Sequence, residues 1–123
     1  MPMDPVLAVR PFVPAEDCPL SKRFYQALGF TPAHEDDTVA ILETGSFSFI
    51  LQNFYVADFA DNCMVQLLVR DVDAWWARMG VDKLVADFEV KPPSAPALQC
   101  WGLTLGFVFD SSGVLWHVAE AQF

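Results

Sequence analysis

The middle of the chain reads MVQLLVRDVDAWWARMG at residues 64–80, and this stretch decides the fold class. Residues 64–69 are apolar apart from one glutamine, which is typical of a β-strand. From residue 71 to residue 79 the apolar side chains are spaced by three and four, which predicts an amphipathic helix. The apolar face of that helix consists of Val72, Trp75, Trp76 and Met79. Gly80 is expected to end it.

The same order of strand and helix already occurs in the first half of the chain. An apolar segment, residues 6–13, predicts a strand, and residues 19–28 have the spacing of a helix. An aspartate precedes or opens each helix, Asp17 in the first half and Asp71 or Asp73 in the second, where it can cap the helix. The strands predicted after the first helix are 30–34, 38–43 and 46–52, and the last two form a hairpin at a Thr-Gly turn.

The second half repeats this order. The elements predicted after the second helix are a strand at 83–90, a proline-rich ordered loop at 91–101, and a hairpin of 103–109 with 114–120. Both halves therefore consist of a strand, a helix and three strands, which indicates an internal repeat. The sequence predicts one α+β domain over residues 1–123, built from two tandem βαβββ modules (about 5–53 and 63–123). Their curled mixed sheets are expected to surround a cavity.

Composition and charge exclude several classes of function. Of the 123 residues 54% are hydrophobic, and eleven Phe and four Trp predict an aromatic-rich interior or pocket. The net charge is −9, with only seven Lys and Arg. Nucleic acids and anionic membrane surfaces bind to basic faces, so we expect neither of them as a partner. A field of this sign favours the approach of a cation, but it identifies no site.

The cysteines and the start of the chain indicate the compartment. Cys18, Cys63 and Cys100 form no Cys-x-x-Cys pair, which predicts reduced structural thiols rather than a zinc or dithiol site. The segment Met1–Pro5 lacks the basic and apolar regions of a signal peptide. No apolar run reaches the ~18–20 residues that span a bilayer. We therefore expect a cytoplasmic protein.

Three segments resemble the motifs of one superfamily, in the same order along the chain. Residues 24–30, FYQALGF, are similar to its FY-x-x-LGF motif, and residues 69–74, VRDVDA, to its V-x-DVDA segment. Residues 101–102, WG, followed by 109–116, FDSSGVLW, are similar to its WG…DP-x-GN-x-W ending. The chain thus resembles the vicinal oxygen chelate superfamily. This superfamily includes glyoxalase I, bleomycin resistance proteins, fosfomycin resistance enzymes and extradiol dioxygenases.

The resemblance carries expectations about assembly and activity. It implies two βαβββ modules, each curling around a cavity. Members of this length are typically homodimers, and in many of them modules pair across the subunit boundary with a site at each end. Some members are divalent-metal enzymes, whereas the bleomycin resistance branch sequesters a drug without metal and without transforming it.

The positions of the metal ligands distinguish these branches. In metal-dependent members the ligands, usually His and Glu, lie on the first and last strands of each module. The resemblance places the first-strand positions at Arg10 and Met64, and the last-strand positions at Ile50 (or Gln52 after a slip of two) and His117. An arginine cannot ligate, and a thioether suits hard or borderline ions poorly. His117 is the only good candidate ligand, so the sequence favours a protein without metal or cofactor.

Alternation along the strands predicts the ligand-contacting side chains. The predicted concave faces also include Ser48 and Leu115. The residues expected to bind a small molecule are Arg10, Phe12, Ile50, Gln52, Met64, Gln66, Trp101 and His117. Trp101 is expected to stack on a planar guest. For the apolar members of the concave faces, simple packing is an equal alternative to ligand contact.

Three functions follow from these patterns. The first is a small-molecule binding protein of the bleomycin-resistance type, with no catalytic residue, for which the resemblance suggests a role in antibiotic resistance. The second is a divalent-metal-dependent lyase or isomerase of glyoxalase type, or a dioxygenase, with altered ligands that include His117 and Gln52. The third is an interaction domain that kept the fold and lost the activity, since one fold can host unrelated functions.

Overall fold

The computed structural model describes residues 5–121, so the first four residues, on which part of the signal-peptide expectation rests, lie outside it. The elements are β1 (Phe12–Pro14), α1 (Cys18–Ala27), β2 (Thr31–Glu35), β3 (Val39–Thr44), β4 (Phe47–Gln52), α2 (Ala57–Asn62), β5 (Met64–Val69), α3 (Val72–Met79), α4 (Val81–Phe88), β6 (Ser94–Leu98), β7 (Thr104–Phe109) and β8 (Leu115–Glu120). In this described part no helix is long and apolar enough to cross a membrane.

The strands form two four-stranded sheets with the same topology. Their orders are β1-β4-β3-β2 and β5-β8-β7-β6. In each sheet the first strand runs parallel to the last, and the remaining neighbours are antiparallel. The predicted α+β fold with two similar modules is confirmed.

The capping aspartates and strand registers show that the modules match position by position. Asp17 accepts a hydrogen bond from the backbone N–H of Leu20, and Asp71 accepts one from Ala74, so each helix begins after an aspartate. In the first sheet the residue two places after Arg10 lies opposite Ile50, and in the second sheet the residue two places after Met64 lies opposite His117. The equivalence of these positions therefore holds without a slip.

The strand predicted at 83–90 is wrong, because this segment is helix α4. Its apolar residues Val81, Leu84, Val85 and Phe88 have the i, i+3, i+4, i+7 spacing of one helix face, and Val81 and Leu84 are buried. Lys83 also pairs with Asp87 one turn later at 2.8 Å. The β-branched residues suggested a strand, but the period of the apolar side chains decides the structure.

The loop predicted at 91–101 is wrong in part, because it contains strand β6. Its pairing with β7 has an irregular register between Ser94 and Ala97. The prolines that suggested a loop are compatible with this strand, since Pro92 and Pro93 precede it and Pro96 lies on an edge strand. Proline lacks the N–H that a central strand must donate, but an edge strand donates to one neighbour only.

The strand predicted at 6–13 is much shorter than expected. Only Phe12–Pro14 pairs with β4, and residues 5–11 have no regular structure. Pro11 cannot donate a backbone hydrogen bond, although its carbonyl oxygen accepts one from Ile50 N at 2.9 Å. As a result, none of the described residues forms a strand on the outer edge of β4 before Ile50.

The helices cover one face of each sheet. Helix α1 packs on the first sheet and α3 on the second. Side chains on the covered faces are buried, among them Leu51 in the first sheet and Val118 in the second. Trp76 of α3 approaches β7 so closely that a side-chain carbon at Gly106 would lie 2.5 Å from its ring. The opposite face of each sheet carries most of the predicted ligand-contacting residues.

Candidate binding site

A buried hydrogen-bond network joins helix α1 to the β7–β8 hairpin. The Tyr25 hydroxyl donates to Asp110 Oδ2, and the Trp116 indole N–H donates to the Tyr25 oxygen at 2.9 Å. Asp110 Oδ1 accepts from the backbone N–H groups of Ser112 and Val114 at 2.8 and 2.9 Å. The network connects the two modules and fixes the ring of Trp116.

The serines of the hairpin turn strengthen this connection. Ser21 Oγ of α1 lies 2.9 Å from Ser111 Oγ and 3.2 Å from Ser112 Oγ. Ser112 Oγ also accepts a hydrogen bond from the Glu16 backbone N–H at 3.0 Å. Ser111 and Ser112 lie in the hairpin turn, which packs against α1. These contacts provide hydrogen-bond partners for Ser21 and Ser112, two of the buried polar side chains.

Four aromatic rings from both modules meet beside this network. Tyr25 and Phe49 have ring centroids 4.9 Å apart, and Phe30 and Phe49 have centroids 5.2 Å apart. Trp116 of the second module lies 5.5 Å from Phe49 and 5.6 Å from Phe30. Their edge-to-face and tilted geometry is favourable for aromatic pairs. Three of these rings, those of Phe30, Phe49 and Trp116, form the floor of a cavity.

Burial makes Tyr25 a source of pH-dependent stability. Burial, reinforced by the neighbouring Asp110 carboxylate, raises the pKa of Tyr25 well above its ordinary value. In the unfolded chain Tyr25 ionises near pH 10, whereas in the folded protein it stays protonated. The contribution of Tyr25 to the free energy of unfolding is therefore complete below about pH 10 and decreases as the pH rises towards the pKa of the folded state. Above pH 10 the free energy of unfolding should therefore fall faster in the wild type than in Tyr25→Phe, by up to about 1.4 kcal/mol per pH unit.

Urea unfolding at a series of alkaline pH values, followed by tryptophan fluorescence, measures this difference in slope. The Tyr25→Phe variant retains the ring and removes only the titrating hydroxyl, so it serves as the reference. Parallel stability curves for the two proteins would show that Tyr25 ionises equally in the folded and unfolded states.

The cavity above the aromatic floor lies between the two sheets, and we name it the seam groove. It has a volume of about 440 Å³. Its lining consists of Pro11, Phe30, Thr44, Phe47, Ser48, Phe49, Val65, Gln66, Leu67, Leu68 and Trp116. One wall is the start of β4 and the other is β5, and these strands belong to different sheets. Most of the lining is apolar, which is typical of small-molecule sites.

A second cavity continues the seam groove towards helix α3. Its volume is about 390 Å³, and it shares Phe30, Thr44, Phe47, Leu67 and Leu68 with the first. At its far end it reaches Trp75, Arg78 and Met79 of α3. The two cavities therefore form an elongated apolar depression between the modules.

Of the eight predicted ligand-contacting residues, the structure places one in the lining of the seam groove and a second at its rim. Gln66 lines the groove. Arg10 Nε donates to Ser48 Oγ, another lining residue, at 2.9 Å. The groove therefore has polar groups at its edges and an apolar floor.

The other six predicted residues do not line the groove. Phe12 lies opposite Ile50 on the uncovered face of the first sheet. Gln52, two residues after Ile50 on β4, lies on the same face. Met64 and His117 lie on the uncovered face of the second sheet. There the His117 ring packs edge-on against Phe107, with centroids 4.9 Å apart.

Trp101 lies in the turn between β6 and β7, with 62% of its surface exposed. These six residues therefore lie on the uncovered faces of the two sheets and in one turn, and none of them lines the seam groove.

The residues at the four metal-ligand positions do not fit a metal. Arg10 and Ile50 cannot donate a lone pair to an ion, and the thioether of Met64 suits these ions poorly. His117 alone cannot complete the three or more donors that such an ion needs. Within residues 5–121, no three His, Cys, Asp or Glu side chains are grouped so that they could hold a metal ion.

The sequence patterns do not predict most of the groove. Asp110 falls between two predicted strands and Tyr25 has no predicted role, although both belong to the motifs that carry the family resemblance. The aromatic floor is also outside the predicted site, because Phe49 and Trp116 face the helices, whereas most of the predicted residues lie on the uncovered faces. The motifs themselves were the available signal, since Tyr25, Asp110 and Trp116 each belong to one of them.

Comparison with known proteins supports the fold. The chain matches no protein-family model and no curated protein sequence, but it resembles solved structures over nearly its whole length. It superposes on the bleomycin-binding protein of Streptomyces verticillus, complexed with copper(II)-bleomycin, with a TM-score of 0.79 and 22% identity. That match covers 98% of this chain and 100% of the other.

Two further structures resemble the chain in the same way. The bleomycin resistance determinant encoded on transposon Tn5 gives a TM-score of 0.74 at 20% identity, covering 94% of this chain and 98% of the other. A lactoylglutathione lyase from Agrobacterium tumefaciens gives 0.67 at 14% identity, covering 96% of each chain. The chain therefore has the fold of the vicinal oxygen chelate superfamily, as its three sequence motifs predict.

Proposed function

We propose that the protein binds a small, largely apolar molecule in the seam groove and does not transform it. The observation that supports this most directly is the lining of the groove. It combines an aromatic floor with three polar side chains, those of Thr44, Ser48 and Gln66, which suits recognition of a ligand with few polar groups. A role of the bleomycin-binding type is consistent with the fold.

The chemistry of the lining favours binding over catalysis. None of the eleven lining residues is an acid, a base, a cysteine or a tyrosine. General acid–base catalysis needs a titratable group within hydrogen-bond reach of the substrate. The hydroxyls of Thr44 and Ser48 have no neighbouring base in the lining, which activation as nucleophiles would require.

A matched pair of leucine variants tests binding in the groove. Leu68 lines it and Leu98 does not, yet both are well exposed on edge strands, at 57% and 71%. The neutral dye phenylnaphthylamine is expected to bind the wild type saturably. Leu68→Glu should weaken this binding about tenfold or more, because a charge placed in an apolar site must be desolvated. Leu98→Glu should leave it unchanged.

Fluorescence titration measures both variants, and circular dichroism verifies that each is folded. Loss of dye binding in Leu98→Glu but not in Leu68→Glu would contradict the proposal. A parallel titration with bleomycin asks whether this drug is a ligand, as it is for the bleomycin-binding relatives. Binding of bleomycin would extend the proposal to sequestration of a drug and to a role in antibiotic resistance.

We propose further that the protein acts as a homodimer in which a second copy covers the uncovered sheet faces. Phe12 and Met64 are 49% and 59% exposed there, although both are apolar. Exposed apolar surface of this kind marks interaction sites. In such a dimer the predicted residues on these faces would contribute to a ligand cavity between the copies; they are Phe12, Ile50, Gln52, Met64 and His117.

Sedimentation equilibrium tests the assembly. The proposal predicts a particle with twice the 13.7 kDa mass of the chain. Met64→Lys places a charge on the face and should shift the equilibrium towards the monomer. A wild type that stays monomeric at micromolar concentration would contradict the dimer but would leave binding in the seam groove unaffected.

We also propose that the protein requires no metal, and the misfit of Arg10, Ile50 and Met64 supports this. Elemental analysis of protein purified without chelators is expected to find no stoichiometric divalent ion. A bound ion that is lost in His117→Ala would favour the alternative of a divalent-metal-dependent lyase, isomerase or dioxygenase with altered ligands.

We place the protein in the cytoplasm on the basis of its thiols. Cys18, Cys63 and Cys100 are free, and free cysteines are typical of reducing compartments. Burial raises the pKa of the Cys18 and Cys63 thiols, which keeps them protonated and unreactive. Cell fractionation tests this location, and recovery in an oxidising compartment would contradict it.

A further inference from the structure

Arg10 is held at the rim of the seam groove in a defined orientation. Its Nε donates to Ser48 Oγ at 2.9 Å, and Ser48 belongs to the groove lining. This single bond uses the inner edge of the guanidinium. The two terminal nitrogens, which form the fork that recognises planar oxyanions, remain available for other partners.

The charge of Arg10 is not neutralised within the described part of the chain. The ion pairs recorded for residues 5–121 involve Lys22, His34 and Lys83, and none involves Arg10. The protein carries sixteen acidic residues, so acidic partners are not scarce. Glu43 lies opposite Ser48 on the neighbouring strand, yet the arginine bonds to the serine instead.

The backbone beside Arg10 offers a further donor. Ile50 N–H points to the outer edge of β4, where it donates to Pro11 O at 2.9 Å. Because backbone groups alternate along a strand, Ser48 N–H points to the same edge. Within residues 5–121 no strand lies beside β4 there, since β1 starts only at Phe12. A guanidinium fork and a backbone N–H therefore lie together at one end of an apolar groove.

We infer that the ligand of the seam groove is an amphipathic anion: a compact apolar body that rests on the aromatic floor and carries one oxyanion, a carboxylate or sulfonate, paired with Arg10. This inference rests on the proposed function and specifies its ligand. The net charge of −9 opposes anions at a distance, but physiological salt screens that field beyond about 8 Å. Arg78 lies at the far end of the second cavity and not in the lining of the seam groove, so Arg10 is the cation at the rim of the groove itself.

Two dyes with the same ring system test the inference. Anilinonaphthalenesulfonate is phenylnaphthylamine with a sulfonate added, so the ratio of their dissociation constants isolates the anion. Arg10→Met removes the guanidinium and introduces the residue found at the equivalent position, Met64. Arg23→Met makes the same charge change on an exposed position of α1. All titrations use the full chain at physiological salt.

The wild type is expected to bind the sulfonate more tightly than the neutral dye. Arg10→Met should weaken sulfonate binding about tenfold or more, the usual effect of losing a charge-assisted hydrogen bond, and should leave the neutral dye unaffected. Arg23→Met should change neither. Glu43→Gln should strengthen sulfonate binding, because it removes a nearby negative charge.

Other outcomes separate this inference from the proposed function. If both dyes bind the wild type and Arg10→Met equally well, the groove binds ligands but the anion inference is overturned. If Arg10→Met and Arg23→Met weaken sulfonate binding equally, only overall charge matters and the inference is again overturned. If neither dye binds the wild type, the groove is not a ligand site and both proposals fail.

Discussion

Phe49→Ala is expected to lower the free energy of unfolding by about 3–5 kcal/mol, the usual cost of removing a buried phenylalanine. Phe49 is only 3% exposed and contacts the rings of Tyr25, Phe30 and Trp116. Truncation removes these contacts and leaves a cavity between the modules. Chemical denaturation followed by tryptophan fluorescence measures the loss, since Trp116 lies beside the site.

Phe47 provides the matched control on the same strand. It lies two residues earlier, has the same side chain and also lines the seam groove, but 76% of it is exposed. Phe47→Ala should change stability by no more than about 0.5 kcal/mol, while weakening the binding of phenylnaphthylamine. If the two variants lost equal stability, Phe49 would not contribute more to the core than the exposed Phe47 does.

Asp110→Ala is expected to destabilise the protein by about 3–5 kcal/mol, because it strips partners from several buried donors at once. The donors are the Tyr25 hydroxyl and the backbone N–H groups of Ser112 and Val114. Asp110→Asn keeps an acceptor oxygen for the backbone and should cost roughly half as much. Urea denaturation at neutral pH gives both values.

Asp37→Ala is the control for this substitution. Asp37 lies in the exposed turn before β3, and its replacement should change stability by no more than about 0.5 kcal/mol. A small effect of Asp110→Ala would mean that the hairpin is held to α1 by packing alone. A large effect that Asp110→Asn shares in full would assign the stability to the carboxylate charge rather than to its acceptor oxygens.

The parts of the fold that the sequence predicts are those with local signals. The aspartates before α1 and α3, the glycines after them and the alternation along β4 and β8 each act over a few residues. The same signals occur twice in the same order along the chain, and this repetition identifies the repeated module. The equivalences of Arg10 with Met64 and of Ile50 with His117 follow from that repeat, and the strand registers agree with them.

The segments that were predicted wrongly carry competing local signals. Residues 83–90 contain three strand-forming side chains, Val85, Phe88 and Val90, but their apolar period is helical. Residues 94–98 contain a proline and still form a strand, because an edge strand donates to one neighbour only. In residues 6–13 the apolar pattern suggested a strand, yet only its end pairs with β4.

The candidate site could not be predicted from local sequence patterns, for a different reason. The floor of the seam groove combines Phe30 and Phe49 of the first module with Trp116 of the second. No spacing along the chain brings these rings together, because their contact depends on how the two sheets pack. Alternation along a strand assigns side chains to sheet faces, but it does not show which of them border the groove. Gln66 lies on the edge strand β5, and Arg10 reaches the groove from the segment before β1 through its bond to Ser48.

A crystal structure of the protein soaked with phenylnaphthylamine tests whether the seam groove is the binding site. We expect electron density for the dye between β4 and β5, in contact with Phe47 and Leu68 and resting on Trp116. Density confined to the uncovered sheet faces, beside His117 or Phe12, with an empty seam groove, would contradict it.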